Sequence, residues 1–180
     1  MTANNPFARL PEVPSFTVTS ASVTDGEPVS PAQLSGASGI PGGQDLSPQL
    51  SWTGAPEGTK SYAVTMYDPD APTMSGFWHW AVANIPAGVT ELAEGAGDDS
   101  GSGLPEGAYQ LRGDAGAARF IGAAPPAGHG EHRYFIVVHA LDVEDIGVPA
   151  EATPAYLGFN IMSHILGRAT IVVTAETPAE

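Results

Sequence analysis

The sequence has no cysteine, and only one lysine, Lys60, among its six basic residues. Without cysteine there are no disulfides and no thiolate chemistry. Six Lys and Arg against twenty Asp and Glu leave a formal net charge of −14. A field of that sign repels nucleic acid and anionic membrane surfaces, and no cluster of cations offsets it, so nucleic-acid partners are not expected. No apolar run approaches the roughly 18 residues of a membrane span. The opening MTANNPFARLPEVPSF lacks a basic stretch followed by an apolar one, so a cytoplasmic location is expected.

What is abundant is punctuation. Twenty-two glycines and seventeen prolines are dispersed through 180 residues, the pattern of many tight turns between short strands. The length fits one domain, 1–180, preceded by an extended arm over 1–14 that holds three prolines. SFTVTSASVT (15–24), QLSWT (49–53) and SYAVTMYD (61–68) read as strands, the last after the turn APEGTK. FWHWAVANI (77–85) and RYFIVVHALD (133–142) are apolar on both faces, as central strands are, and ATIVVTA (169–175) is rich in β-branched residues. Residues 91–130 read as a long surface excursion containing the short strands AYQL and RFIG. Thr153 as N-cap, Pro154 at the first helical position and Gly167 near the end predict a helix over 154–168, with Leu157, Ile161, Ile165 and Leu166 as its apolar stripe. The expected fold is therefore a mainly β, antiparallel sandwich with a C-terminal helix.

Polar groups stand where such strands do not need them. In YDPDAP, Asp68 and Asp70 flank Pro69 at a strand end, where Pro72 also stops the ladder. His79 lies between two tryptophans, on the alternating face that holds Phe77 and Ala81, and His132 opens a strand with Tyr134 on the same face. Just upstream, AAPPAGHGEHR combines the rigid Pro125 and Pro126 with Gly128 and Gly130. Each residue has an ordinary structural use: Asp68 as a turn cap, His79 and Tyr134 as core. His129, His139 and His164 are assigned to such uses, as a loop, a strand and a helix residue.

Together, YDPDAP…WHWAVANIP and GAAPPAGHGEHRYFIVV resemble the phosphatidylethanolamine-binding protein family, also called the Raf kinase inhibitor-like family. SPQLSWTGAPEGTKSYAVTMYDPDAP and AYLGFNIMSHILGRATI are similar to its bacterial branch. The resemblance spans about 15–174 and implies a Greek-key β-sandwich with a small anion pocket at one end. Carried over by position, it places Asp68, Asp70, His79, Pro125, Pro126, His132 and Tyr134 at that pocket, with Arg133 in a structural part. Two departures follow: Ala124 stands before the proline pair, and RGDAG (112–116) replaces an NDFG-like segment, which implies a different pocket wall.

The implied function is a non-catalytic binding protein for phosphate-bearing ligands or phospholipid head groups, a homodimer in bacterial relatives, modulating kinases or proteases in some members. No cofactor is implied. Two imidazoles, a phenol and loop N–H groups can supply donors where no lysine stands nearby, with Asp68 orienting a histidine or receiving a ligand ammonium or hydroxyl. Two alternatives use the same residues. A hydrolase would draw acid–base chemistry from Asp, His and Tyr with Ser75 or Ser163 as nucleophile, although no G-x-S-x-G elbow is present. A metal site would draw on Asp68, Asp70, His79 and His132, without the local spacing of a ligand motif.

Overall fold

The computed structural model describes residues 4–179. The doubly apolar segments take the middle of a five-stranded sheet: β3 (Ser61–Asp68) lies between β4 (Phe77–Pro86) and β7 (His132–Leu141). That sheet runs β6 (Tyr109–Gln110), β4, β3, β7, β8 (Ile165–Ala175), and every pairing is antiparallel. A smaller antiparallel sheet orders β1 (Thr17–Thr19), β2 (Leu50–Thr53) and β5 (Glu91–Leu92).

Between the sheets lies the main core, in which Leu50, Trp52, Val64, Trp80, Val82, Val138 and Val173 are at most 1% exposed. Each such side chain contributes on the order of 1.5–3 kcal/mol by leaving water. A second cluster covers the outer face of the large sheet. There Leu157 and Ile161 of α1 (Pro154–Ile161) meet Ala63, Ala81 and Ala83, small residues that let the helix approach closely. Alternation along β3 and β4 thus feeds two apolar layers, which is why both read as apolar throughout.

The helix begins as predicted. Thr153 Oγ1 accepts from the Tyr156 N–H at 3.2 Å, and Pro154 occupies the first turn. It ends seven residues early, because Ile165, Leu166, Gly167 and Arg168 belong to β8 instead. An eight-residue helix is marginal alone, whereas β8 pairs with β7 from His132–Ala175 to Leu141–Ile165 and satisfies a whole row of backbone groups. Gly167 is therefore no helix stop. A Cβ there would come within 2.9 Å of the Pro14 carbonyl oxygen and of Pro56, so it is the site of a close backbone approach.

Three other expectations change. The first strand covers only 17–19. Of the arm over 1–14, residues 1–3 lie outside the described residues and 4–10 form turns over the large sheet, with Phe7 edge-on to Phe135 at 5.8 Å and Arg168 Nη1 donating to the Pro11 carbonyl at 2.9 Å. The excursion over 91–130 is not wholly on the surface: AYQL supplies β6, but RFIG is irregular and buried, with Phe120 edge-on to Trp80 at 5.8 Å.

Replacing Gly167 by valine should force two chain segments apart and destabilise the protein by about 1–3 kcal/mol. Urea unfolding checks this; a helical Gly167 would instead gain or lose little.

Candidate functional site

The site starts from a one-residue irregularity. Across β3 and β4, Met66 pairs with Trp80 but Tyr67 pairs with Trp78, so His79 is an extra residue with no partner in β3. Such a bulge re-aims side chains and frees backbone groups. Trp78 keeps the outer face, its ring 4.4 Å from Tyr67, whereas His79 lies against Phe77 at 4.8 Å and edge-on to Tyr134 at 5.1 Å. Simple alternation joined His79 with Phe77 and Ala81; the bulge preserves the first neighbour and sends Ala81 to the outer cluster. Ile121 takes up the freed backbone, donating its N–H to the His79 carbonyl at 3.1 Å. Its own carbonyl, 2.9 Å from His79 Nδ1, can only accept, so Nδ1 carries a proton and Nε2 is the ring atom left for a ligand.

Asp68 ends β3 and is 3% exposed. Its Oδ1 accepts from the N–H groups of Asp70 (2.7 Å) and Ala71 (3.0 Å), the turn-capping role open to it from sequence. Its Oδ2 accepts from His132 Nδ1 at 2.8 Å. Asp68 thus caps its turn through Oδ1 and orients His132 through Oδ2, which keeps a second lone pair on the cavity side. With Nδ1–H given to Asp68, His132 turns Nε2 outward, where it lies 2.7 Å from His129 Nδ1. His129, assigned to the loop from sequence, is thus the outer member of a His129–His132–Asp68 chain. The signal for it was present in GHGEH: Gly128 and Gly130 take φ of +72° and +93°, turning the loop back so that residues three apart meet.

Asp70 goes elsewhere. Arg133 grips it through Nε to Oδ2 and Nη2 to Oδ1, both at 2.7 Å, and adds its backbone N–H at 3.1 Å. This fork closes the DPDAP turn onto the start of β7 and leaves Asp70 off the cavity wall. Burial opposes ionisation of Asp70, but the Arg133 fork outweighs it and holds the carboxyl below its usual range.

The remaining residues surround a cavity of about 490 Å³. Asp68, His79, His132 and Tyr134 line it together with Ala124, Pro125 and Pro126, and Ser38, Thr73 and Thr177 add hydroxyls. Tyr134 is fully buried, and its hydroxyl has no hydrogen-bond partner of good geometry among the described residues. Burial and then the Asp68 charge push that phenol up, so it remains a proton donor at any ordinary pH. Asp45 anchors the wall from behind, accepting from Gly122 N–H and Ala37 N–H at 2.8 Å each. The RGDAG departure is not part of that wall. It clamps β4 from outside, Trp78 N–H donating to Asp114 Oδ2 at 2.9 Å, and a Cβ on Gly113 would come within 2.7 Å of the Trp78 carbonyl oxygen.

The cavity thus offers the Tyr134 phenol, imidazoles that can donate or accept, and the hydroxyls of Ser38, Thr73 and Thr177. Ser75 and Ser163 do not line it, so neither is placed as a nucleophile. Among the described residues no three His, Asp or Glu are grouped to hold a metal.

Burial lowers the pKa of His79, against the pull of the Ile121 carbonyl and Asp68, and burial followed by the Arg168 charge lowers that of His139 to about 3. His139 is therefore neutral in the fold down to pH 5, while unfolded histidine titrates near 6.5. Below that pH the unfolded chain binds more protons, so stability falls with acid, and the lowered His79 adds to the fall in the same direction. As pH falls from 7, the slope from His139 should approach about 1.4 kcal/mol per pH unit towards pH 5, and His139→Asn should remove it. Urea midpoints across that range check it, above the pH where Asp45 and Asp70, both held low, begin to protonate.

The phosphatidylethanolamine-binding protein family model matches residues 19–176. The chain is 46% identical to YbcL of Escherichia coli over 161 residues, covering 89% of this chain and 87% of that protein. It is 50% identical to YbhB of the same organism over 132 residues, or 72% and 80% of the two chains. The crystal structure of YbcL superposes with a TM-score of 0.86 over 91% of this chain and 99% of that one. A homologue from Chlamydia trachomatis, CT736, superposes with 0.70 at 27% identity over 90% and 97%. Among the described residues no helix is long and apolar enough to cross a membrane.

Proposed function

Because the chain belongs to the phosphatidylethanolamine-binding protein family, we propose that the cavity between His79, His132 and Tyr134 binds a small phosphate-bearing ligand, free or as a lipid head group, without turning it over. The observation that carries this reading is the Tyr134 hydroxyl, buried at the cavity wall, whose O–H finds no acceptor among the described residues. An unmatched buried donor costs about 1–3 kcal/mol, and a phosphoryl oxygen would relieve it. His79 faces the same space with Nδ1 already bound, so Nε2 can accept from a P–OH or, once protonated, donate to a P–O⁻. His132 becomes available when His129 swings away from Nε2, which the glycines on either side permit.

His79 is neutral in the free protein, and a phosphate monoester loses its second proton near pH 6. Whether the shared proton arrives on ligand or ring, the complex holds one more than the separated partners at pH 8. Affinity for phosphate or phosphoethanolamine should therefore rise as pH falls from about 8 to about 6. Calorimetric titration reads this, and equal affinity at both ends would overturn the proposal. Tyr134→Phe should weaken binding by about 1–1.5 kcal/mol and His79→Asn by about 1.5–3 kcal/mol, with His164→Ala as an unaffected control. His132 is less suited to deletion. It is 1% exposed and is the partner of buried Asp68, so its loss strips a charge and threatens the fold as well as binding.

A hydrolase remains the competing use of Asp68, His79 and Tyr134; product release from p-nitrophenyl phosphate or acetate that Tyr134→Phe abolishes would favour it. The proposed homodimer would use the rim of the same cavity, where Met74 is fully exposed beside Thr73. Light scattering of Met74→Glu against the parent chain reads that.

A further inference from the structure

On the other face of the large sheet, behind the bulge, a second cavity of about 420 Å³ opens between α1, residues 6–10 and strands β3, β4, β7 and β8. Its walls are apolar: Tyr67, Trp78, Phe135, Ile161, Phe159 and Met162. Four large apolar side chains are strongly exposed among the described residues, and two of them, Phe159 (68%) and Met162 (43%), form this rim, with Tyr156 stacked beside Phe159.

The floor is the exception. Arg168 and His139 sit opposite each other across β7 and β8 and both line the cavity. Arg168 stacks on Phe7 and gives Nη1 to the Pro11 carbonyl, but its Nε is buried without a partner. Arg133 and Arg119 both have aspartate partners, whereas no described carboxylate lies within ion-pair distance of Arg168, in a chain carrying −14. His139 is 7% exposed; its Nε2 meets Thr65 Oγ1 at 2.9 Å and its Nδ1 has no partner. Arg168 is half-buried between this cavity and a shallower cleft that Glu12 lines, and its guanidinium has no ion pair among the described residues.

We propose that this cavity is a second binding site, for a small amphiphile with an aromatic or aliphatic body and one carboxylate. The body fills the space between Trp78 and Phe159 and the carboxylate pairs with Arg168. The volume lies within the range of small-molecule sites, and the sign of the floor selects acids over their neutral analogues. The site does not depend on the phosphate reading, since none of its residues lines the first cavity.

The test is titration of the full chain with 3-phenylpropionate, followed by the fluorescence of Trp78 and by calorimetry, with 3-phenylpropionamide as the neutral analogue. Saturable binding of the acid is expected, with the amide about tenfold weaker or worse. Saturating phosphate should not displace it, which separates this site from the first. Gly158 lines the cavity, and a Cβ there meets nothing within 4 Å, so Gly158→Leu fills the space while improving helix propensity and should abolish binding. Arg168→Gln should bring the acid down to the affinity of the amide. No binding at millimolar acid, equal binding of acid and amide, or displacement by phosphate would each overturn the proposal. So would a dimer that Gly158→Leu dissociates, because a second copy would then be the occupant.

Discussion

One unpaired residue organises this molecule. A regular β3–β4 ladder would place His79 and Trp80 on opposite faces; the bulge lets both lean into the sandwich while Trp78 stays outside with Tyr67. The imidazole then reaches Tyr134 on β7, and the freed carbonyl of His79 captures Ile121, which fixes the irregular segment leading to Pro125 and Pro126. Removing the bulge would separate wall from wall. The strand ends contribute rigidity in turn: Asp68 caps its own turn, Asp70 is forked by Arg133, and Asp45 holds the loop behind.

Much of this was legible as pattern. Double-faced apolarity marked β3, β4 and β7 because both layers of the molecule are built on them. Thr153 and Pro154 marked the helix start because capping is local chemistry. The helix end was not legible, since Ile161, Ile165 and Leu166 suit a helical stripe and a strand equally well, and a ladder with a strand over twenty residues away decided between them. Nor could the bulge be read, because alternation carries no mark of a skipped partner.

The polar residues divide the same way. The grouping of Asp68, His79, His132 and Tyr134 around one cavity matches the residues that the paired motifs brought together. Their division of labour does not. Asp70 differs from Asp68 only in standing two residues further round a turn, yet that turn points it at a guanidinium instead of a histidine. His129 looked like any loop histidine, and only the reversal between two positive-φ glycines brings it onto His132. Partner choice across a fold is a three-dimensional fact, whereas residue type and strand parity are linear ones.

The first cavity contains no arginine or lysine among its lining residues; its polar groups are phenol, imidazole, hydroxyls and one carboxylate. An anion held there would feel hydrogen bonds that act over about 3 Å, well inside the roughly 8 Å over which physiological salt screens charge. The dissociation rate would then be nearly indifferent to ionic strength. Approach is another matter, since the chain's net charge of −14 presents a repulsive field to any anion arriving from solution. Added salt would flatten that field and speed entry, the reverse of the slowing seen where a basic cleft steers its ligand. Stopped-flow rates at two ionic strengths would expose the difference, and entry slowed by salt would mean that some cation of the chain reaches the path.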